Sequence, residues 1–292
     1  MNLVTAKGLT KIYGKKVALD RVDFTVGQGR IVGLLGPNGA GKSTALQAML
    51  GLISYAGELN VLGREPWHQR AELMGEACFI ADAAVLPGWL TARRALDFMA
   101  GLHPRFDRAK AEAFLARTGI ERAAKVRTLS KGMIAQLHLA LVMAIDARLL
   151  VLDEPTLGLD LAYRKRFFDS LLDDYFDQDR TIVVSTHQLD EVQHILTDLI
   201  LLDRGKVVLD LSMEAFEARF AEVAVPASKL AAARALKPLS ERQLLGRASL
   251  LFDGADPKRL AALGEVRPAS LSEVFLALTD APAAAPAGEV AA

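Results

Sequence analysis

The sequence predicts an α/β fold built on a mostly parallel sheet. Three observations predict it. The first is Gly36-Pro37-Asn38-Gly39-Ala40-Gly41-Lys42-Ser43, which satisfies the pattern G-x-x-x-x-G-K-[ST] at every required place. The second is its setting, between a short apolar run at residues 31–35 and a helix-like stretch at 43–50. The third is a set of continuous apolar runs, Leu149-Leu150-Val151-Leu152 and Ile182-Val183-Val184 among them. Such runs are the mark of strands buried on both faces of a parallel sheet.

In chain order, residues 3–6, 17–19, 22–26 and 31–35 read as strands. The alternation Val22-Asp23-Phe24-Thr25-Val26 suits an antiparallel β subdomain exposed on one face. Tyr13 stands in the loop between the first two strands. Helix 43–50 follows the glycine loop, and strands 58–62 and 76–80 come next. Residues 83–145 turn mostly helical, with apolar spacing at 92–102, 108–116 and 131–145. This is a helical subdomain able to move against the sheet, or three helices packed rigidly on it. Strand 149–153 ends in Asp153-Glu154, helix 161–175 follows, and strand 180–186 ends at His187. A hairpin at 199–211 closes around Asp203-Arg204-Gly205.

From Met213 the character changes to a small C-terminal α+β appendix, with helix 213–221, strand 223–225, helix 229–236 and strand 249–252. Ser270-Leu271-Ser272-Glu273 is a capping box that opens a terminal helix. The expected domains are 1–212, with the helical part at about 83–145, and 213–280 as a small accessory domain. Residues 281–292 are Ala/Pro-rich and expected to be disordered.

The loop has a definite chemistry. Gly36, Gly39 and Gly41 lack a Cβ, so the backbone can take positive φ and approach a ligand closely. The helix that starts there adds free N–H donors and the positive end of its dipole. Lys42 is placed to reach β- and γ-phosphates, and the Ser43 hydroxyl to ligate Mg²⁺. This is the core of a P-loop NTPase. Asp153 is the candidate to hold Mg²⁺, and Glu154 to polarise an attacking water. His187 sits at the same expected sheet edge and is a candidate contact for a γ-phosphate. In open α/β sheets ligands gather at the carboxyl ends of the strands.

Composition narrows the field. The chain has 292 residues, 51% of them hydrophobic, enough for one large or two unequal domains. Lys+Arg and Asp+Glu are equal at 35 each, so no global field points to nucleic acid or an anionic surface. The single cysteine, Cys78, excludes an internal disulfide and suits a reducing compartment. The N-terminus lacks a signal-peptide profile. No apolar stretch approaches the ~20 residues of a spanning helix.

Several ordered motifs over roughly residues 3–212 resemble the nucleotide-binding subunit of an ATP-binding cassette (ABC) transporter. Tyr13 stands where that family has an aromatic that stacks on adenine. Residues 36–44, from Gly36 through Asn38 to Thr44, are similar to Walker A. Leu129-Ser130-Lys131-Gly132-Met133 resembles the signature L-S-G-G-Q, and Leu149 to Asp153 with Glu154 resembles Walker B and the catalytic glutamate. Leu157-Gly158-Leu159-Asp160 is similar to the D-loop, and His187 stands at the switch-histidine position. The resemblance implies ATP and Mg²⁺ as ligands. It implies a homodimer or heterodimer of cassettes, each ATP held between Walker A of one and Ser130–Gly132 of the other. It further implies a separate transmembrane permease, peripheral attachment at the cytoplasmic face of the membrane, and no nucleic-acid partner.

Two departures stand out. Asp82 occupies the place of the family glutamine; it can still meet Mg²⁺ or its water but loses the amide donor. Lys131 and Met133 replace two signature residues, while Ser130 and Gly132 remain. The variant signature and the stretch 268–279 resemble exporter ATPases, which favours export over import. Two alternatives stay open: a soluble cassette ATPase acting on ribosomes or nucleic acid, and a low-turnover regulatory subunit.

Overall fold

The computed structural model describes residues 1–81, 86–157, 159–177, 179–244 and 247–279. They divide into two units, 1–212 and from 213 onward.

The first unit opens with two long antiparallel strands, β1 (Asn2–Tyr13) and β2 (Lys16–Gly27). The expectation of shorter strands fails here for a local reason. β1 continues through Gly8, whose φ of 58° absorbs an irregularity between Ala6 and Leu9, and β2 continues through Arg21 at φ 50°. Tyr13 is therefore the last residue of β1, paired with Lys16, and not part of a loop.

β3 (Ile31–Leu35) leads into the glycine loop and α1 (Lys42–Met49). β4 (Ala56–Val61) joins β1, giving a three-stranded antiparallel sheet in the order β2-β1-β4. A short helix that the apolar pattern did not reveal, α2 (Arg70–Met74), precedes β5 (Ala77–Ile80). Then come α3 (Ala92–Leu102), α4 (Arg108–Ala116) and α5 (Lys131–Met143). β6 (Leu149–Asp153), α6 (Leu161–Asp174), β7 (Thr181–Thr186), α7 (Leu189–Val192), β8 (Asp198–Asp203) and β9 (Lys206–Ser212) complete the unit.

The main sheet has six strands in the order β5-β6-β7-β3-β8-β9. All pairings are parallel except the closing hairpin β8–β9. Every residue of β3, β6 and β7 is buried, which explains their unbroken apolar runs. Leu46 and Met49 of α1 pack in one core with Val4 and Phe24 of the antiparallel sheet and Val151 and Val183 of the main sheet. The helices α3 to α5 hold a core of their own around Leu96, Leu115, Leu137 and Leu141. α5 joins this core and also packs against α6 and β5.

In the second unit, α8 (Met213–Arg219) gives way to β10 (Phe220–Pro226), so the helix read over 213–221 ends two residues early. α9 (Leu230–Arg234), β11 (Ser240–Leu244), β12 (Arg247–Asp253), α10 (Pro257–Leu263), β13 (Glu265–Pro268) and α11 (Leu271–Thr279) follow. Its sheet is antiparallel, in the order β11-β12-β10-β13. Val223, Val225, Leu250 and Phe252 pack with Leu260 and Leu263 on one face. Residues 281–292 lie outside the described residues.

Candidate nucleotide site

The parallel sheet brings three strand ends to one edge. β3 delivers the loop, β6 delivers Asp153 and Glu154, and β7, lying between them, delivers Ser185 to His187. The loop is shaped by its glycines. Gly36 has φ 151°, and a Cβ there would lie 2.3 Å from the Leu202 carbonyl oxygen. Gly41 has φ 111°, and its Cβ would lie 2.5 Å from the Ala18 oxygen. Gly41 caps α1 without a side-chain hydrogen bond. The first-turn N–H groups of α1 therefore have no side-chain acceptor from the cap residue, and they mark an anion site.

A cavity of about 250 Å³ opens over this loop. Tyr13, Asn38, Gly39, Gly41, Lys42, Ser43, Thr44 and Glu154 line it, and so do Lys16 and Ala18 of β2. The last two carry no motif, and only their position beside Tyr13 at the tip of a hairpin could have singled them out. Tyr13 is half-exposed, with the Lys11 ammonium 5.1 Å from its ring centre.

Lys42 is buried to 6% exposure. Its Nζ donates to the oxygens of Gly36 at 2.8 Å and Pro37 at 3.3 Å, and lies 3.6 Å from Glu154 Oε1. Burial pushes its pKa below the usual lysine value, and the neighbouring Glu154 opposes that shift. Glu154 Oε1 also meets His187 Nδ1 at 2.9 Å. One carboxylate oxygen thus touches both the loop lysine and the strand-tip histidine.

Glu154 sits at φ 48°, in the left-handed region that a branched or long side chain rarely occupies. Its N–H donates to the Ser185 carbonyl at 3.1 Å and lies 3.2 Å from Ser185 Oγ. Ser185 Oγ in turn donates to Asp153 Oδ1. Ser185 is fully buried and fastens both acids. Sequence reasoning missed it; its place two residues before His187 on the central strand was the available signal. Asp153 is 5% exposed and presents hard oxygen donors of the kind Mg²⁺ takes, and Ser43 lines the same cavity.

Ser130 and Gly132 do not line this cavity. Ser130 caps α5, accepting from Met133 N at 3.2 Å, and Gly132 packs beneath the Tyr163 ring of α6. Asp82 and Gly158 lie outside the described residues.

A glycine loop of the phosphate-binding pattern, two acids two strands away and a histidine at the end of the strand between define a P-loop ATPase. Residues 19–157 match the "ABC transporter" family. Over 95% of this chain and 97% of the relative, it is 31% identical to "Nod factor export ATP-binding protein I" of Cupriavidus metallidurans. It is 32% identical to "Daunorubicin resistance ATP-binding protein DrrA3" of Streptomyces coeruleorubidus, over 81% of this chain and 78% of that one. Among solved structures, an ATP-binding subunit of an ABC transporter superposes with a TM-score of 0.62 at 25% identity, covering 74% of this chain and 92% of the other. The chain belongs to the ABC transporter ATP-binding proteins. It binds and hydrolyses ATP. Among the described residues no helix is long and apolar enough to cross a membrane.

Proposed function

We propose that this chain is a peripheral subunit at the cytoplasmic face of the membrane that powers a separate transmembrane permease in the direction of export. The observation that carries the ATP-hydrolysing part of this reading is Glu154, whose carboxylate bridges Lys42 and His187 at the rim of the loop cavity. A triphosphate entering that cavity places its terminal phosphate between the same three groups. Lys42 then exchanges Glu154 for phosphate oxygens, and Glu154 becomes free to accept a proton from a water.

Each further residue has a role in this reading. Tyr13 stacks on the adenine. The backbone of Gly36, Asn38, Gly39 and Gly41 cradles the phosphates together with Thr44. Mg²⁺, when bound, neutralises charge on the β- and γ-phosphate oxygens. Ser43 and Asp153 would hold it, with Asp82 as a third oxygen donor. His187 contacts the γ-phosphate. Ser130 and the backbone of Gly132 complete the site of a second cassette, in a homodimer or a heterodimer. Their absence from the lining of the chain's own loop cavity supports this, since it leaves these donors available to another loop. Residues 213–280 form an accessory domain appended to the 1–212 cassette. Export is supported by the relatives, named for Nod factor export and daunorubicin resistance.

The test is ATP-driven pairing. Glu154→Gln with MgATP is expected to elute from gel filtration at twice the mass of the nucleotide-free chain. Ser130→Ala in the same background is expected to lower the dimer fraction. A monomer under all conditions, with ATP bound, refutes homodimeric closure and leaves a heterologous cassette as the partner to be sought by co-purification.

A further inference from the structure

The first turn of α6 carries an arrangement that the nucleotide reading does not use. Arg164 lies four residues after Asp160, the N-cap whose Oδ1 accepts from Tyr163 N at 3.0 Å. Arg164 Nε donates to the carbonyl of Leu159 at 2.7 Å. Its Nη1 donates to Gln188 Oε1 and pairs with Glu191 Oε1. The two ionised side chains are each only 19% exposed. Gln188 directly follows His187, and its N–H donates to Thr186 Oγ1 at 2.9 Å. Glu191 belongs to α7, which starts one residue after Gln188.

One guanidinium thus joins two segments more than twenty residues apart: the residue before the α6 cap and the turn that carries the histidine. A guanidinium has five donors in a rigid fork and can serve three acceptors at once. An ammonium is a single point and cannot hold this geometry. α7 has only four residues, so its own backbone gives the turn little rigidity. Glu191 Oε2 is buried and has no hydrogen-bond partner among the described residues, so the pair is not an optimised stability element.

The geometry points to Arg164 as a positioning residue for His187. It fixes residues 187–191 so that the imidazole Nδ1 stays on Glu154 Oε1, and it ties that placement to the backbone at Leu159. A shift of the segment at Leu159 and Asp160 is then transmitted to the histidine. This rests on the reading of His187 as a contact of the γ-phosphate.

The experiment uses the full chain, ¹⁵N-labelled at its five histidines. Steady-state hydrolysis, ATP affinity, melting temperature and imidazole ¹⁵N spectra are measured for wild type, Arg164→Gln, Arg164→Lys, Glu191→Gln and His187→Ala. The combination of Arg164→Gln with His187→Ala is measured as well. Arg164→Gln is expected to lower kcat by roughly tenfold to a hundredfold, the scale of a misplaced catalytic group. ATP affinity stays within about twofold, the His187 resonance moves, and those of His68 and His103 do not. Arg164→Lys restores less than half the activity. In the His187→Ala background, Arg164→Gln removes no more than about a further twofold, because coupled residues are not additive.

The proposal is overturned if Arg164→Gln leaves the His187 resonance in place, or if the two losses multiply. If His187→Ala keeps full activity, the histidine's role falls instead, and the spectra still decide whether Arg164 pins the turn. If Arg164→Gln does not fold, Arg164→Lys and Glu191→Gln are judged by the same readouts.

Discussion

Adding a single methyl group at Gly132 tests how the signature segment is seated. A Cβ built there lies 2.8 Å from Tyr163 Cζ and 2.9 Å from Cε1 and Cε2. Ordinary contacts begin near 3.4 Å, so the ring has to move by more than half an ångström. Overpacking of this kind costs about 1–3 kcal/mol. Tyr163 is half-buried and stacks under the Arg166 guanidinium at 5.6 Å, so it yields at the lower end of that range. Against this, alanine in place of glycine inside a helix gains about 0.5–1 kcal/mol. Gly132→Ala should therefore destabilise the wild type by no more than roughly 1 kcal/mol. In a Tyr163→Ala background the same change should stabilise by about 0.5–1 kcal/mol, because only the helix term remains. Urea unfolding followed by tryptophan fluorescence reads the correct part of the chain, since Trp67 and Trp89 are the only tryptophans and both lie in the 1–212 unit. If Gly132→Ala stabilises both backgrounds equally, Tyr163 does not seat the signature helix.

Three further outcomes are expected. Lys42→Ala should weaken ATP binding by roughly tenfold to a hundredfold, the value of a hydrogen bond to a charged group, as measured by titration with a fluorescent ATP analogue. Ser185→Ala removes the hydroxyl that holds Asp153 and lies against the Glu154 N–H; it should cost about 1–3 kcal/mol of stability by urea unfolding and lower kcat more than ATP affinity. His138 on α5 is held neutral by burial, its pKa pushed down to about 4 from 6.5. The unfolded chain then binds the extra proton, so the contribution of His138 to stability is full above pH 6.5 and is lost as pH drops from 6.5 toward 4. His138→Leu should flatten that part of the stability–pH curve, and an unchanged slope would assign it to other groups.

Much of the site was legible because its parts are local. The glycine loop needs three residues that tolerate positive φ, and each is written in the sequence. The strands that position it, β3, β6 and β7, are buried throughout and so appear as unbroken apolar runs. What was not legible depends on tertiary placement. Nothing in the residue type signals that Glu154 takes φ 48°, because the surrounding strand ends impose it. Ser185 and Arg164 act through partners 31 and 24 residues away, beyond any local period. β13 has four exposed residues and no alternation; it exists only because β10 offers it a hydrogen-bonding edge. Tyr13 was misplaced because the glycine bulge in β1 reads, in sequence, as a strand end.

The central claim is that Glu154 is the base of an ATP-hydrolysing site at the glycine loop. Replacing it by glutamine keeps the shape and removes the charge that meets Lys42 and His187. The direct measurement is phosphate release and ATP affinity for Glu154→Gln beside the wild type, with Mg²⁺ present. The expected result is ATP affinity equal to or tighter than wild type, with kcat lower by at least roughly a hundredfold, the contribution of a positioned general base. Undiminished phosphate release by Glu154→Gln would contradict it.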